Sequence, residues 1–365
     1  MQSKKQSEKE MGEIYSDNII LLEKLMADAR RTCIVSHMKP DGDAIGSCTA
    51  LYHYLLMLGK TNVKIVLNDR CPAYLDFITE SIGEGDLIIR QDRPDEASTV
   101  IGDSDLIFCL DFNAFHRTDR LETALSASKA DKVLIDHHLN PDTGSFDLIF
   151  SETEISSASE LLYRILMDTS RIAHDATMLP KFSADALMTG MTTDTNNFAN
   201  SVFPSTLRMA SSLLAAGVDR DGILSHLYNQ YSESRLRLMG HMMKDLLTIT
   251  EDGVAYIVLD RKTQLEYNIQ EGDTEGFVNM PLSIASVRMS LLLKEDEERI
   301  RVSIRSKRGT SANRCARLYF IGGGHENAAG GKLLVPQDIA GISEAADYIE
   351  RTTHRYFTED NEKND

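Results

Sequence analysis

The chain is short of positive charge. Its 365 residues carry 39 Lys and Arg against 56 Asp and Glu, a formal net charge of −17. A surface of that sign repels polyanions, which argues against a protein that coats long duplex nucleic acid but is compatible with small anions held through metals. Paired cysteines are lacking as well. Cys33, Cys48, Cys71, Cys109 and Cys315 are an odd number with no C-x-x-C spacing. Cys33 and Cys109 sit in apolar runs, so buried free thiols in a reducing compartment are expected. The opening MQSKKQSEKEMG has no apolar core of the kind a signal peptide needs, and no run approaches the length required to cross a bilayer. Internal repeats and low-complexity segments are absent too. These absences together predict a cytoplasmic soluble protein with no membrane partner.

What the chain does have is apolar content, 42% of residues, enough at this length to fill two cores. CIVSH (33–37), VKIVLND (63–69), DLIFCLDF (105–112) and VLIDHH (133–138) each begin aliphatic and stop at polar residues. Between them lie helical patterns, as at Ile45, Cys48, Leu51, Tyr52, Leu55 and Leu58. Buried strands alternating with helices predict an α/β fold, a doubly wound and mainly parallel sheet whose ligand site lies beyond the strands' carboxyl ends. Helical segments are expected at 156–169, 182–192, 204–216 and roughly 219–248. The runs 254–260, 286–293 and 299–306 then read as strands of a smaller α/β domain with a mixed sheet. The expected organisation is a catalytic domain over 12–216, a helical linker over 217–235 and a second domain over 236–356. The charged termini, 1–11 and 357–365, are expected to be disordered.

Chemistry concentrates at the strand ends. HMKPDGDAIGS (37–47) places His37, Asp41 and Asp43 in one turn after the first run. Asp111 ends the third run, and Asp136, His137 and His138 end the fourth. Asp194 lies in GMTTDTNNF, after another helical stretch. In a parallel sheet the first three clusters converge on one edge, and Asp194 joins them if its loop folds back. So many carboxylates in a small volume repel unless cations lie between them. Two divalent ions would remove the conflict, one held by His37, Asp41 and Asp111, the other by Asp43, Asp111, His137 and Asp194. Oxygen and imidazole donors without thiolate favour Mn²⁺, with Mg²⁺ or Co²⁺ as substitutes. Asp111 would bridge the pair, and a water between the ions would lose its proton to become a nucleophile. Each residue also has an ordinary reading. Asp43 before AIGSC could be a helix N-cap, and D-H-H a capping corner. The joint placement of four clusters favours the metal site.

HMKPDGDAIGS, LDFN, LIDHH and MTTDTNNF, in this order, resemble the four motifs of the DHH phosphoesterase family. The resemblance implies a two-manganese centre with the ligands paired as above. It further implies that His138 acts on the substrate phosphate or the leaving group, and that Asp136 supports the histidines from behind. EGFVNMPLSIASVRMSLLL, VSIRSK and FIGGGHENAAGG resemble the DHH-associated C-terminal domain in its nanoRNase and pAp-phosphatase branch.

That resemblance implies a substrate grip by Arg305, Ser306 and Lys307 together with a phosphate-binding loop at Gly323, Gly324 and His325. Residues 299–317 hold seven basic side chains and no acid, the clearest basic patch of the chain. The implied activity is hydrolysis of short RNA or DNA oligonucleotides, of 3′-phosphoadenosine 5′-phosphate (pAp), or of both. Its runner-up is a cyclic di-AMP or pApA phosphodiesterase, and from another class comes a non-catalytic nucleotide sensor. A homodimer is expected by family analogy alone. Histidines 53, 116, 174, 226, 241 and 354 fit no motif and read as structural, while Met239, Met242 and Met243 read as packing residues.

Overall fold

The four apolar runs, joined by two that the sequence did not mark, build one parallel sheet. The computed structural model describes residues 16–229, 231–270, 272–297 and 299–358. Its first part runs α1 (Ser16–Asp28), β1 (Thr32–Ser36), α2 (Gly42–Met57), β2 (Val63–Leu67), α3 (Asp76–Thr79) and β3 (Leu87–Ile89). It continues with α4 (Pro94–Asp103), β4 (Leu106–Leu110), α5 (Glu122–Ala127), β5 (Asp131–Asp136) and β6 (Leu148–Ser151). Strand order is β3-β2-β1-β4-β5-β6 with every pairing parallel. Apolar clusters cover both faces, one around Ile34, Ile65 and Phe108, the other around Cys33, Val35 and Cys109. That is why β1 and β4 are buried at every position. The order reverses between β1 and β4, so the crevice for a ligand opens where His37 and Asp111 emerge.

Four more helices follow, α6 (Ala158–Asp168), α7 (Lys181–Asp194), α8 (Pro204–Ala215) and α9 (Arg220–Tyr228). α7 runs antiparallel to α2 at a distance only small residues allow. A Cβ on Gly46 would lie 2.6 Å from the Ala186 carbonyl oxygen and 2.9 Å from Gly190 Cα. Ser183 Oγ donates to the Ala50 carbonyl at 2.8 Å. This contact corrects the expected loop around Asp194. It is the last residue of α7, carried by the helix to the start of α2.

Compact units divide at residues 230 and 231. The helix expected over 219–248 is interrupted here, because Ser232 accepts from the Arg235 amide and starts a new helix, α10 (Glu233–His241). A π turn, Met242–Leu246, extends it. The second unit contains β7 (Thr248–Ile249), β8 (Val254–Leu259), α11 (Arg261–Glu266), β9 (Met289–Glu295) and β10 (Arg299–Ser306). α12 (Ala312–Tyr319), β11 (Gly323–Gly324), β12 (Ala328–Leu334) and α13 (Ala345–Thr358) complete it. The sheet is mixed, ordered β11-β12-β10-β9-β8-β7, with β8 and β9 parallel and the other pairs antiparallel. Met242 is fully buried against Ile257 and Leu259, with Met239 and Met243 packed beside it.

The expected loose ends at 1–11 and 359–365 lie outside the described residues, whereas Phe357 and Thr358 close α13. All five cysteines are free, four of them buried. Among the described residues no helix is long and apolar enough to cross a membrane.

Candidate metal centre

Asp111 is the residue at which the clusters meet. It follows β4 with φ at 63°, a left-handed backbone that a non-glycine residue holds only where its surroundings force it. Its Oδ1 is buried and makes no hydrogen bond. His37 Nε2 lies 3.3 Å from Asp111 Oδ2 and 3.8 Å from Asp41 Oδ1. The other ring nitrogen, Nδ1, is 2.9 Å from the Met38 carbonyl oxygen, which orients the imidazole. On the other side, His137 Nε2 lies 3.4 Å from Asp111 Oδ1 and 3.7 Å from Asp194 Oδ2. Three groups have donor atoms within 4.8 Å of one another: His37, Asp41 and Asp111; Asp43, His137 and Asp194; and Asp111, His137 and His138. All six residues expected as metal ligands therefore stand together.

The capping roles are distributed differently from the ordinary reading. Asp41, not Asp43, caps α2, its Oδ1 accepting from the Asp43 and Ala44 amides. Asp43 instead holds the first two amides of α6, whose N-cap is Ser157. Its Oδ2 accepts from the Ala158 amide at 2.6 Å and its Oδ1 from the Ser159 amide at 2.9 Å, so it closes the first turn of α6. Sequence reasoning missed this partner. It also missed Asn113, whose Nδ2 donates to the Leu139 carbonyl at 2.8 Å and ties the turn after β4 to the turn after β5.

Asp136 is fully buried and serves His138 with both oxygens. Oδ2 accepts from the His138 amide, and Oδ1 lies 2.7 Å from His138 Nδ1. With Nδ1 engaged by Asp136, His138 has only Nε2 left to meet a metal or a substrate.

The electrostatics carry the mark of crowded like charge. Desolvation first, then the charges of Asp111 and Asp194, push the Asp43 carboxyl well up. Desolvation, with Asp111 and Asp41 adding to it, raises Asp194 to about 7. About a third of its side chain, 31%, stays exposed, so water screens part of that effect. Desolvation works to lower His137, but Asp111 outweighs it and the imidazole is pushed up to about 10. His37 is raised well up in the same way by Asp111 and Asp41. Burial opposes ionisation of Asp111, yet the adjacent His137 and His37 imidazoles hold its carboxyl far below the usual range. Cationic imidazoles, or divalent cations in their place, would offset the crowded carboxylates. Donor chemistry and the unpartnered Asp111 oxygen both fit hard or borderline divalent ions.

In the second unit the expected substrate residues are tied to backbone. Arg305 Nη1 donates to the carbonyls of Ile304 and Ala329. Ser306 Oγ donates to Thr310 O, and Lys307 Nζ to Ile284 O and Ala285 O. Asn327 Nδ2 donates to Ser306 Oγ, Lys307 O and Thr310 O, joining this segment to the glycine loop. The loop is itself a hairpin edge, since Gly323 and Gly324 pair with Gly330 and Ala329. A Cβ on Gly322 would lie 2.0 Å from the Gly330 carbonyl oxygen, so these glycines permit close strand approach. His325 is exposed beyond them. Arg299 and Arg301 both pair with Asp296, just outside the acid-free run, and line a solvated strand face.

Comparison with known proteins agrees with this arrangement. Residues 31–191 match the DHH family, N-terminal domain, and residues 251–351 match the DHHA1 domain. The chain is 29% identical over 309 residues to the bifunctional oligoribonuclease and PAP phosphatase NrnA of Thermus thermophilus, covering 82% of this chain and 83% of that one. To the Bacillus subtilis protein of the same description it is 25% identical, covering 81% and 87%. The crystal structure of an exopolyphosphatase-related protein from Bacteroides fragilis superposes with a TM-score of 0.85 at 37% identity, over 93% of this chain and 96% of that one. With the four motifs gathered at the switch point of the sheet and a mixed-sheet domain following, the chain belongs to the DHH family of metal-dependent phosphoesterases.

Proposed function

We propose that this protein hydrolyses short oligonucleotides and pAp, with two Mn²⁺ ions as its cofactor and Mg²⁺ or Co²⁺ as substitutes. The observation that carries the reading is Asp111, one buried carboxylate shared by a His37–Asp41 group and a His137 group that extends to Asp43 and Asp194. His37, Asp41 and Asp111 would hold one ion, and Asp43, Asp111, His137 and Asp194 the other. When bound, the ions supply Lewis acidity at the phosphoryl oxygens and activation of water. The protein's own residues supply position. Asp43 is fixed by two amides of α6, and Asp111 by its constrained turn. Asp136 holds the proton at His138 Nδ1, which leaves Nε2 to meet the phosphate or the departing oxygen.

In the second unit, Gly323, Gly324 and His325 would take the anionic end of the substrate, with Arg305, Ser306 and Lys307 shaping and charging that edge. Relatives named as both oligoribonuclease and PAP phosphatase support this substrate range. The proposed domains are 12–216 for catalysis and 236–356 for substrate, joined through 217–235. A cytoplasmic site of action accords with free, buried thiols, and a homodimer rests on analogy.

The test is purified protein with Mn²⁺, offered two- to five-nucleotide RNA, pAp, pApA, cyclic di-AMP and pyrophosphate in parallel. Release of mononucleotides from the short RNA and of phosphate from pAp is the expected result. Turnover of cyclic di-AMP or pApA in preference would move the protein to the phosphodiesterase reading. Nucleotide binding without any hydrolysis would make it a sensor.

A further inference from the structure

Beyond Asp194 the backbone turns the wrong way for an ordinary helix end. Asn196, Asn197 and Phe198 hold φ at 47°, 56° and 65° in succession, and none is glycine. A helix commonly ends on one left-handed residue, usually glycine. Each further L-residue in that conformation is strained, so such runs persist only where their surroundings force them. Asparagine tolerates it through its short polar side chain, but a bulky phenylalanine does not.

This left-handed turn closes the last turn of α7. The Asn197 amide donates to the Thr192 carbonyl at 2.8 Å and the Asn196 amide to the Thr193 carbonyl at 3.0 Å. Those are two of the carbonyls a helix end leaves without partners, and they immediately precede Asp194. Fully buried Thr195 ties the turn by its hydroxyl, which accepts from the Phe198 amide at 3.0 Å. A second tie comes from α9. Arg220 Nη2 donates to Asn197 Oδ1, and the guanidinium carbon lies 5.3 Å from the centroid of the Phe198 ring. Arg220 is the first residue of α9, a helix capped by Asp219 and packed into the core through Ile223 and Leu227. One side chain on a packed element thus holds two of the three left-handed residues.

We infer that Arg220 is a positioning residue for the metal centre: by clamping the left-handed turn it keeps the end of α7 closed and Asp194 beside His137 and Asp43. It acts through Asn197 and Phe198 and touches neither metal nor substrate. Without the clamp the turn relaxes, the Thr192 and Thr193 carbonyls lose their donors, and the helix end that carries Asp194 frays. The inference rests on the proposed role of Asp194 as a metal ligand, and is independent of which phosphoester is hydrolysed.

The experiment is calorimetric titration of the full chain with Mn²⁺, comparing the parent with Asp194→Asn, Arg220→Ala, Asn197→Gly and the last two combined. Circular dichroism checks that each variant is folded. Asp194→Asn should weaken one of two Mn²⁺ equivalents. Arg220→Ala should weaken the same equivalent about 10-fold, the lower end of what residues behind a metal ligand contribute, and leave the equivalent held by His37, Asp41 and Asp111 unchanged. Asn197→Gly relieves the backbone as it removes the acceptor, so adding Arg220→Ala to it should cost less affinity than in the parent. Parent-like binding by Arg220→Ala, beside weakened binding by Asp194→Asn, overturns the inference and leaves Asp194 a ligand. Equal loss at both equivalents, or the same cost of Arg220→Ala with and without Asn197→Gly, also overturns it. Parent-like binding by Asp194→Asn removes the ligand role itself, and the inference with it.

Discussion

Replacing Gly190 by alanine tests whether helix packing sets the metal geometry. Gly190 faces α2 and α6 together. A Cβ there would lie 2.0 Å from Ser159 Oγ, 2.9 Å from Ser159 Cβ and 2.9 Å from Asp43 Oδ1. In an unobstructed helix interior, glycine to alanine gains about 0.8–1 kcal/mol from propensity. Overpacking a close contact costs about 1–3 kcal/mol. Here the obstacle is not the far end of a flexible side chain. Ser159 is held through its own amide on Asp43, and Asp43 in turn by Ala158. The upper part of that range applies, for a net loss of about 1–2 kcal/mol. For a unit of this size that lowers Tm by about 2–8 °C. The carboxylate most displaced is Asp43, so Mn²⁺ affinity should fall along with stability. Gly102, near the end of α4 with nothing within 4 Å of its would-be Cβ, is the control. Gly102→Ala should hold or raise Tm and leave Mn²⁺ binding unchanged. Thermal unfolding of the metal-free proteins and calorimetric titration with Mn²⁺ read both effects. If Gly190→Ala is as stable as the parent and binds Mn²⁺ equally, Asp43 is not positioned by this packing.

Three other outcomes follow from the site. Asp111→Ala removes the shared carboxylate and should lower turnover by about 10²–10³-fold or more, the scale of losing one preorganised charged group; retained turnover in a steady-state assay would exclude a site centred on Asp111. Asp136→Asn keeps the shape but places an amide N–H against the His138 donors, so kcat should drop about 10–100-fold while Mn²⁺ affinity is kept; parallel losses in both would assign Asp136 to the metals instead. Metal binding should release protons, because ligands must be deprotonated while Asp194 is raised to about 7 and His137 to about 10 in the ion-free site. Apparent Mn²⁺ affinity therefore rises with pH between about 6 and 9, and the binding enthalpy varies with the ionisation enthalpy of the buffer; a buffer-independent enthalpy would refute the proton-filled site.

Much of the catalytic edge was legible because its logic is periodic. A buried parallel strand reads as a continuous aliphatic run, and the polar residue that ends it must lie at the carboxyl edge. His37, Asp111 and His137 could thus be placed without knowing which strands are neighbours. Strand order is a long-range property, so the sequence did not tell that β1 and β4 flank the switch point. β12 was hidden for another reason. Ala-Ala-Gly-Gly has little intrinsic strand preference, and it is a strand because β10 and β11 accept it on either side. Composition does not show where the basic side chains turn. Arg305 and Lys307 turn their donors to backbone carbonyls, and the pairing of Arg299 and Arg301 lies with an acid outside the run.

Asp194 and Asp43 show where a sequence signal existed and went unused. Gly42, Gly46 and Ala50 recur at four-residue spacing on α2, opposite Ser183, Ala186, Gly190 and Thr193 on α7. Small residues at that spacing on two helices mark a close crossing. Such a crossing, run antiparallel, must bring the end of the second helix to the start of the first. From it follows that Asp194 arrives on a rigid element and not on a loop that folds back. The ligands then divide by origin. His37, Asp111 and His137 are set by the sheet, while Asp43 and Asp194 are set by the packing of α2, α6 and α7. Substitutions at the helix crossing should therefore act first on Asp43 and Asp194 and spare His37 and Asp111, which answer to the register of β1 against β4.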